Sequence, residues 1–147
     1  MEKRDLINLI TDIFGPIGFK HKGNYWIHQG IELTKMINIQ KSSFGNFFYI
    51  NYGFILNNLD KEGVIAHVWQ RLASSNKEEQ KILTNCLDLG YEMLEQDRRN
   101  ILKEFITKKV LNKIQGINSE VELVEYLKKR PTLNDIPLRT KEYLNLH

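Results

Sequence analysis

Apolar residues recur at helical spacing at the start of the chain. Leu6, Ile7, Leu9, Ile10, Ile13 and Phe14 predict an amphipathic helix over Glu2 to Phe14. Gly15-Pro16 ends it, because proline cannot continue the hydrogen-bond ladder. The period then changes. Gly18 to His28 carries aromatic and β-branched residues around Lys22-Gly23-Asn24, which predicts a strand, a turn and a second strand. Ile31 to Leu56 follows as two long strands. Ile31, Leu33, Ile37 and Ile39 share one parity and so one face; Glu32, Thr34, Met36, Asn38 and Gln40 share the other. Ser42 to Asn46 has turn chemistry. On the return, Phe48, Ile50, Tyr52, Phe54 and Leu56 lie on one side, and Phe47, Tyr49, Asn51, Gly53 and Ile55 on the other. Val64 to Leu72 is short and β-branched, which favours an added strand.

After a linker at Ser74 to Lys77, helical spacing returns from Glu78 to about Lys113. Gly90 and the polar run Glu95 to Asn100 predict two helices rather than one, and Gly116 is a C-terminal stop. Ser119 and Glu122 form a capping box, hydroxyl and carboxylate each meeting a backbone N–H, and open a helix to about Arg130, stopped by Pro131. The tail carries a helical end at Lys141 to Leu146, and the terminal His147 is expected to be disordered. A helix, then strands, then helices is the order of an α+β domain. The expected architecture is an antiparallel sheet of four to five strands, with the N-terminal helix and the C-terminal helices packed on its apolar face. One domain spanning residues 1–147 is expected, with the sheet core at about 18–72 and the helical part at about 77–147.

Composition adds little to this picture. The 147 residues are 41% hydrophobic and 27% charged, which is ordinary for a globular protein. The formal net charge of +3 is far from the dense field of a dedicated nucleic-acid binder. One cysteine, Cys86, excludes an intrachain disulfide and fits a reducing compartment. The N-terminus has no signal-peptide core and no run is long enough to cross a bilayer, so a cytoplasmic bacterial protein is expected.

Candidate chemistry is confined to a few places. On the polar side of the central hairpin, Asn38 and Gln40 share a face with Tyr49 and Asn51 if the register brings them level, with Lys41, Ser42 and Ser43 beside them near the turn. Amides and hydroxyls at alternate positions can offer donors and acceptors together to one ligand; the same groups also suit a solvated outer face. Trp69 and Arg71, two apart on a strand and flanked by His67, could clamp a planar or anionic group, or be a core tryptophan and a paired arginine. His21 and His28 could face each other across a hairpin, but with His67 they lack metal-ligand spacing, and no metal is expected. Arg98, Arg99, Lys103, Lys108, Lys109 and Lys113 read as a positive outer helix face. Cys86 falls on an apolar stripe as an inert thiol. No phosphate-binding glycine loop, GxSxG, HExxH or CxxC motif is present, and no cofactor is expected.

GFKHKGNYWIH, KMINIQKSSFGNFFYINYGFIL, HVWQRLA and the helical VELVEYL together resemble the domain-of-unknown-function family 4304. The resemblance spans most of residues 6–130 and rests on Gly18, Phe19, Gly23, Asn24, Asn38, Gln40, Lys41, Ser42, Tyr49, Asn51, Gly53 and Arg71. It implies a small α+β domain and carries no assigned activity.

Two functional classes remain. The first is a non-enzymatic binding protein, such as an immunity or antagonist protein, whose partner is a toxin or another bacterial protein. Its ligand-binding residues would be Asn38, Gln40, Lys41, Ser42, Tyr49, Asn51 and Arg71, with no catalytic set. The second is a small-molecule or nucleotide-processing enzyme with its site at Gln40, Ser42, Asn51 and Arg71. Nucleic-acid binding through the basic residues 98–113 ranks third, behind both and against a solvated face, and no membrane partner is expected.

Overall fold

The computed structural model describes residues 1–146; His147 lies outside the described residues. The first helix, α1, spans Lys3–Phe14 and buries Leu6, Leu9, Ile10 and Phe14, the residues its 3.6-residue spacing places on one stripe. Glu2 and Asp5 close its N-terminus reciprocally. Gly15–Ile17 tightens into a 3-10 turn around Pro16.

Five strands follow: β1 (Lys20–Lys22), β2 (Tyr25–Gln29), β3 (Leu33–Lys41), β4 (Phe48–Leu56) and β5 (Val68–Arg71). They form one antiparallel sheet in sequence order. Two boundaries differ from the sequence pattern. Ile31 does not join the apolar face; it sits in a bend before β3, almost wholly exposed. The segment Val64 to Ala66 is loop, so the fifth strand begins four residues late. The buried His67 explains this edge. Its Nδ1 accepts the Leu56 N–H at 2.8 Å and its Nε2 lies 3.1 Å from the Asp60 carbonyl, so the ring pins the loop instead of extending the ladder.

The helical half begins at α2 (Lys77–Leu87), where Asn76 Oδ1 accepts the N–H groups of Glu78 and Glu79. The chain breaks at Asp88 to Leu94 and resumes as α3 (Glu95–Ile106), so the polar run Glu95 to Asn100 opens the second helix rather than interrupting the first. A π-helical turn at Thr107–Leu111 leads into α4 (Asn112–Gln115). Helix α5 (Glu120–Lys128) carries the expected Ser119 cap, but the Glu122 carboxylate meets the N–H of Asn118, not that of Ser119. The tail helix, α6 (Leu138–Tyr143), lies three residues earlier than the pattern suggests.

The odd-numbered residues of β3 and the even-numbered residues of β4 face the helices. Trp26, Leu33, Ile37, Ile39, Ile50, Tyr52, Phe54 and Val68 join Leu6, Leu83, Leu102, Ile106 and Leu123 in one core. Polar ties cross the same layer. Trp26 Nε1 donates to Thr11 Oγ1 (3.0 Å), Lys113 Nζ to the Tyr52 hydroxyl (3.0 Å) and the Tyr126 hydroxyl to Gln70 Oε1 (2.7 Å). Lys35 also lies on this side, buried, its Nζ donating to Asn118 Oδ1 at 2.7 Å. No helix among the described residues is long and apolar enough to cross a membrane.

Candidate functional site

The other face of the sheet carries the candidate site, and register builds it. Ser42 N–H donates to the Phe47 carbonyl at the mouth of the β3–β4 turn, fixing Asn38 opposite Asn51 and Gln40 opposite Tyr49. On the far side of β4, Asn51 pairs with Arg71 and Gly53 with Trp69. On β2, Tyr25 pairs with Asn38 and Ile27 with Met36. Two rows therefore cross the sheet: Tyr25, Asn38, Asn51 and Arg71 in one, and Ile27, Met36, Gly53 and Trp69 in the next.

The polar row is a connected network. Asn51 Nδ2 donates to Asn38 Oδ1 and to Gln40 Oε1, both at 3.0 Å. Arg71 Nε donates to Asn51 Oδ1 at 3.3 Å and its Nη2 to Gln40 Oε1 at 3.2 Å. Asn38 Nδ2 reaches the Asn24 carbonyl at 3.4 Å. Asn38 and Asn51 are buried, whereas Gln40 and Arg71 are exposed. The inner amides thus serve one another, and the groups left for a ligand sit at the outside: the Gln40 amide nitrogen, Arg71 Nη1 and the hydroxyls of Tyr25 and Tyr49.

The apolar row is set apart from the core. Tyr25, Ile27, Ile55 and Trp69 are half-buried and Met36 is buried, yet none packs into the core that the helices cover. Trp69 lies across Gly53, where a side chain has no room. A Cβ there would collide with the Val68 carbonyl oxygen and stand 3.0 Å from Trp69 Cε3.

Of the sequence-derived set, Asn38, Gln40, Tyr49, Asn51 and Arg71 come together. Lys41 does not: its parity sends it to the opposite face, opposite Phe48. Ser42 does not either, since it is buried in the turn and its Oγ accepts the Phe44 N–H at 3.1 Å. The Trp69 and Arg71 pair, read from sequence as a separate candidate, merges with the hairpin set. Ile27 and Tyr25 were missed; alternation from Tyr25 to Gln29 was the available signal.

The remaining candidates resolve into structural roles. Arg98 is buried, not on an outer face. Its Nη1 donates to the carbonyls of Asn85 (3.2 Å), Cys86 (2.7 Å) and Asp88 (2.8 Å), and its Nη2 to that of Tyr91. Arg99 pairs with Asp12 (3.3 Å), Lys108 with Glu104 (2.7 Å) and Lys109 with Glu79 (3.5 Å). Lys113 turns inward to Tyr52. Its burial opposes its charge, but the hydroxyls of Tyr52 and Tyr126 outweigh that and hold its pKa above the usual lysine value. Burial raises the Cys86 thiol, against the opposing influence of Arg98. His21 stacks on Trp26 with ring centres 4.7 Å apart, and His28 lies 5.4 Å from Phe19, so the two do not face each other.

No curated protein and no solved structure matches the chain. One sequence family does, over residues 10–115, and that span holds every strand and every residue of both rows. The chain therefore belongs to the family described as domain of unknown function (DUF4304), as the residue pattern around the central hairpin suggested.

Proposed function

We propose that this chain is a non-enzymatic binding protein that takes a protein partner on the open face of its sheet. The observation that carries the reading is the separation of Tyr25, Ile27, Met36, Ile55 and Trp69 from the helix-covered core. They form a half-buried apolar cluster outside that core, and apolar groups set apart from a core and left partly accessible fit an interaction site. Its composition also fits: tryptophan, tyrosine and arginine dominate the energetics of protein interfaces, and methionine is enriched there. Arg71 supplies a cation already held in place by Gln40, Asn51 and Tyr49, so little side-chain freedom is lost on docking.

An immunity or antagonist role is the form of binding this favours, since such a protein works by covering another protein's surface and needs no reacting groups. The enzyme reading is weakened by Ser42, which stays in the turn. Gln40, Asn51 and Arg71 supply hydrogen bonds and a cation, and pair no nucleophile with a base.

The test is a photoreactive amino acid placed at Ile27 and, in a control, at Val121, which is exposed on α5. Both variants are expressed in the native host and irradiated. A discrete protein adduct from position 27 and none from position 121 is expected. Identical adducts from both, or none from position 27, would overturn the reading.

A further inference from the structure

The backbone of β5 extends this reading. Leu72 N–H donates to the Ile50 carbonyl at 2.7 Å. With Asn51 level with Arg71 and Gly53 with Trp69, that bond makes Val68, Gln70 and Leu72 the residues whose main chain faces β4. The N–H and C=O groups of Trp69 and Arg71 therefore point off the edge of the sheet. Among the described residues they meet no hydrogen-bond partner.

The two edges of the sheet are unlike. β1 is three residues long and exposed, and it begins and ends in lysine (Lys20 and Lys22), the usual defences against unwanted pairing. β5 reads Val-Trp-Gln-Arg and carries neither lysine nor proline. Its arginine is also short of a counter-charge. The Arg71 guanidinium meets amide oxygens and an aromatic ring, and no carboxylate within ion-pair distance among the described residues.

We propose that β5 accepts an added strand: an extended acidic segment of the partner, hydrogen-bonded to the main chain of Trp69 and Arg71. Each residue offers one N–H and one C=O, so a single short segment gains four main-chain bonds. Its alternate side chains fall on the open face, an apolar one against Trp69 and a carboxylate against Arg71 Nη1. A second copy of this chain is the poorer occupant, because symmetric pairing of two β5 strands brings two Arg71 cations onto one face. The proposal rests on the open-face reading and names the form its partner takes.

The experiment uses the full chain and a phage library of random peptides, with selected peptides then synthesised. Amide exchange is followed by NMR. In the free protein the Trp69 and Arg71 amides should exchange freely while those of Gln70 and Leu72 are protected. A selected peptide should carry Asp or Glu two positions from an apolar residue and slow the Trp69 and Arg71 amides by at least about tenfold. Arg71→Ala should weaken its binding by about tenfold or more. The proposal is overturned if no acidic peptide is selected, if those two amides are already slow in the free protein, if bound peptide leaves them fast, or if the chain dimerises through β5. An adduct at position 27 together with fast Trp69 and Arg71 amides in that complex would remove strand addition and leave the open-face reading standing. Absence of the adduct would remove that reading itself.

Discussion

The guanidinium carbon of Arg71 stands 3.7 Å from the centre of the Tyr49 ring. The two residues sit on neighbouring strands, and Asn51 and Gln40 accept the Nε and Nη2 N–H groups along one edge of the guanidinium. The pair is partly exposed, so its coupling should be modest. A double-mutant cycle of Arg71→Ala and Tyr49→Ala, followed by urea unfolding, should return about 0.5–1 kcal/mol. Tyr49→Phe keeps the ring and should retain the coupling. A cycle that sums to zero would mean that the stacking contributes nothing.

Asn51 is the hub of the polar row. Asn51→Ala strips partners from Asn38, Gln40 and Arg71 at once. Since Asn38 is buried and loses the donor to its Oδ1, a destabilisation of about 1–3 kcal/mol is expected. Gln40→Ala, on the exposed side of the same network, should cost less. The opposite order in denaturant midpoints would contradict the hub assignment.

Arg98 closes the C-terminal end of α2 by donating to the carbonyls of Asn85, Cys86 and Asp88. Helix C-termini leave such carbonyls unpartnered. Arg98→Ala should destabilise by about 3 kcal/mol, because buried carbonyls lose charged donors. Arg98→Lys should recover only part of the loss, since a single ammonium cannot reproduce the fork. Thermal melts of the two variants decide this, and equal melting temperatures would refute it.

Lys35 is the cation that the sheet tolerates under its helices. Burial pushes its pKa below the usual 10.5, partly offset by the nearby Glu122 carboxylate. A depressed lysine pKa means that folding works against the charged form. That penalty is complete at neutral pH and fades as pH rises from the folded pKa toward 10.5. Lys35→Met should therefore stabilise the protein at pH 7, by about 1 kcal/mol, with the gain shrinking at higher pH. Urea unfolding at pH 7 and pH 10 tests the sign; a variant less stable than the parent at pH 7 would reverse it.

Much of the site was legible because strands alternate with period two. The parity of Asn38, Gln40, Tyr49 and Asn51 placed them on one face before any register was known. Parity also showed what should not have joined them, since Lys41 follows Gln40 directly and must point the other way. Arg71 was expected in the same set, but its level opposite Asn51 could not be read from sequence, because the loop from Asn57 to His67 hides how β5 returns to β4. His67 fixes that return through two hydrogen bonds that no periodicity reveals. Arg98 was readable in principle: it precedes Leu102 and Ile106 by four and eight residues, which places it on their buried stripe. A charge count along the segment obscured that spacing.

The chain's two tryptophans occupy opposite sides of one sheet. Trp26 is sealed, its indole N–H on Thr11, while Trp69 rests half-covered over Gly53. Their emission should separate by solvent polarity, the first signalling collapse of the fold and the second signalling arrival of anything on the uncovered side. The molecule therefore needs no dye to tell unfolding from engagement.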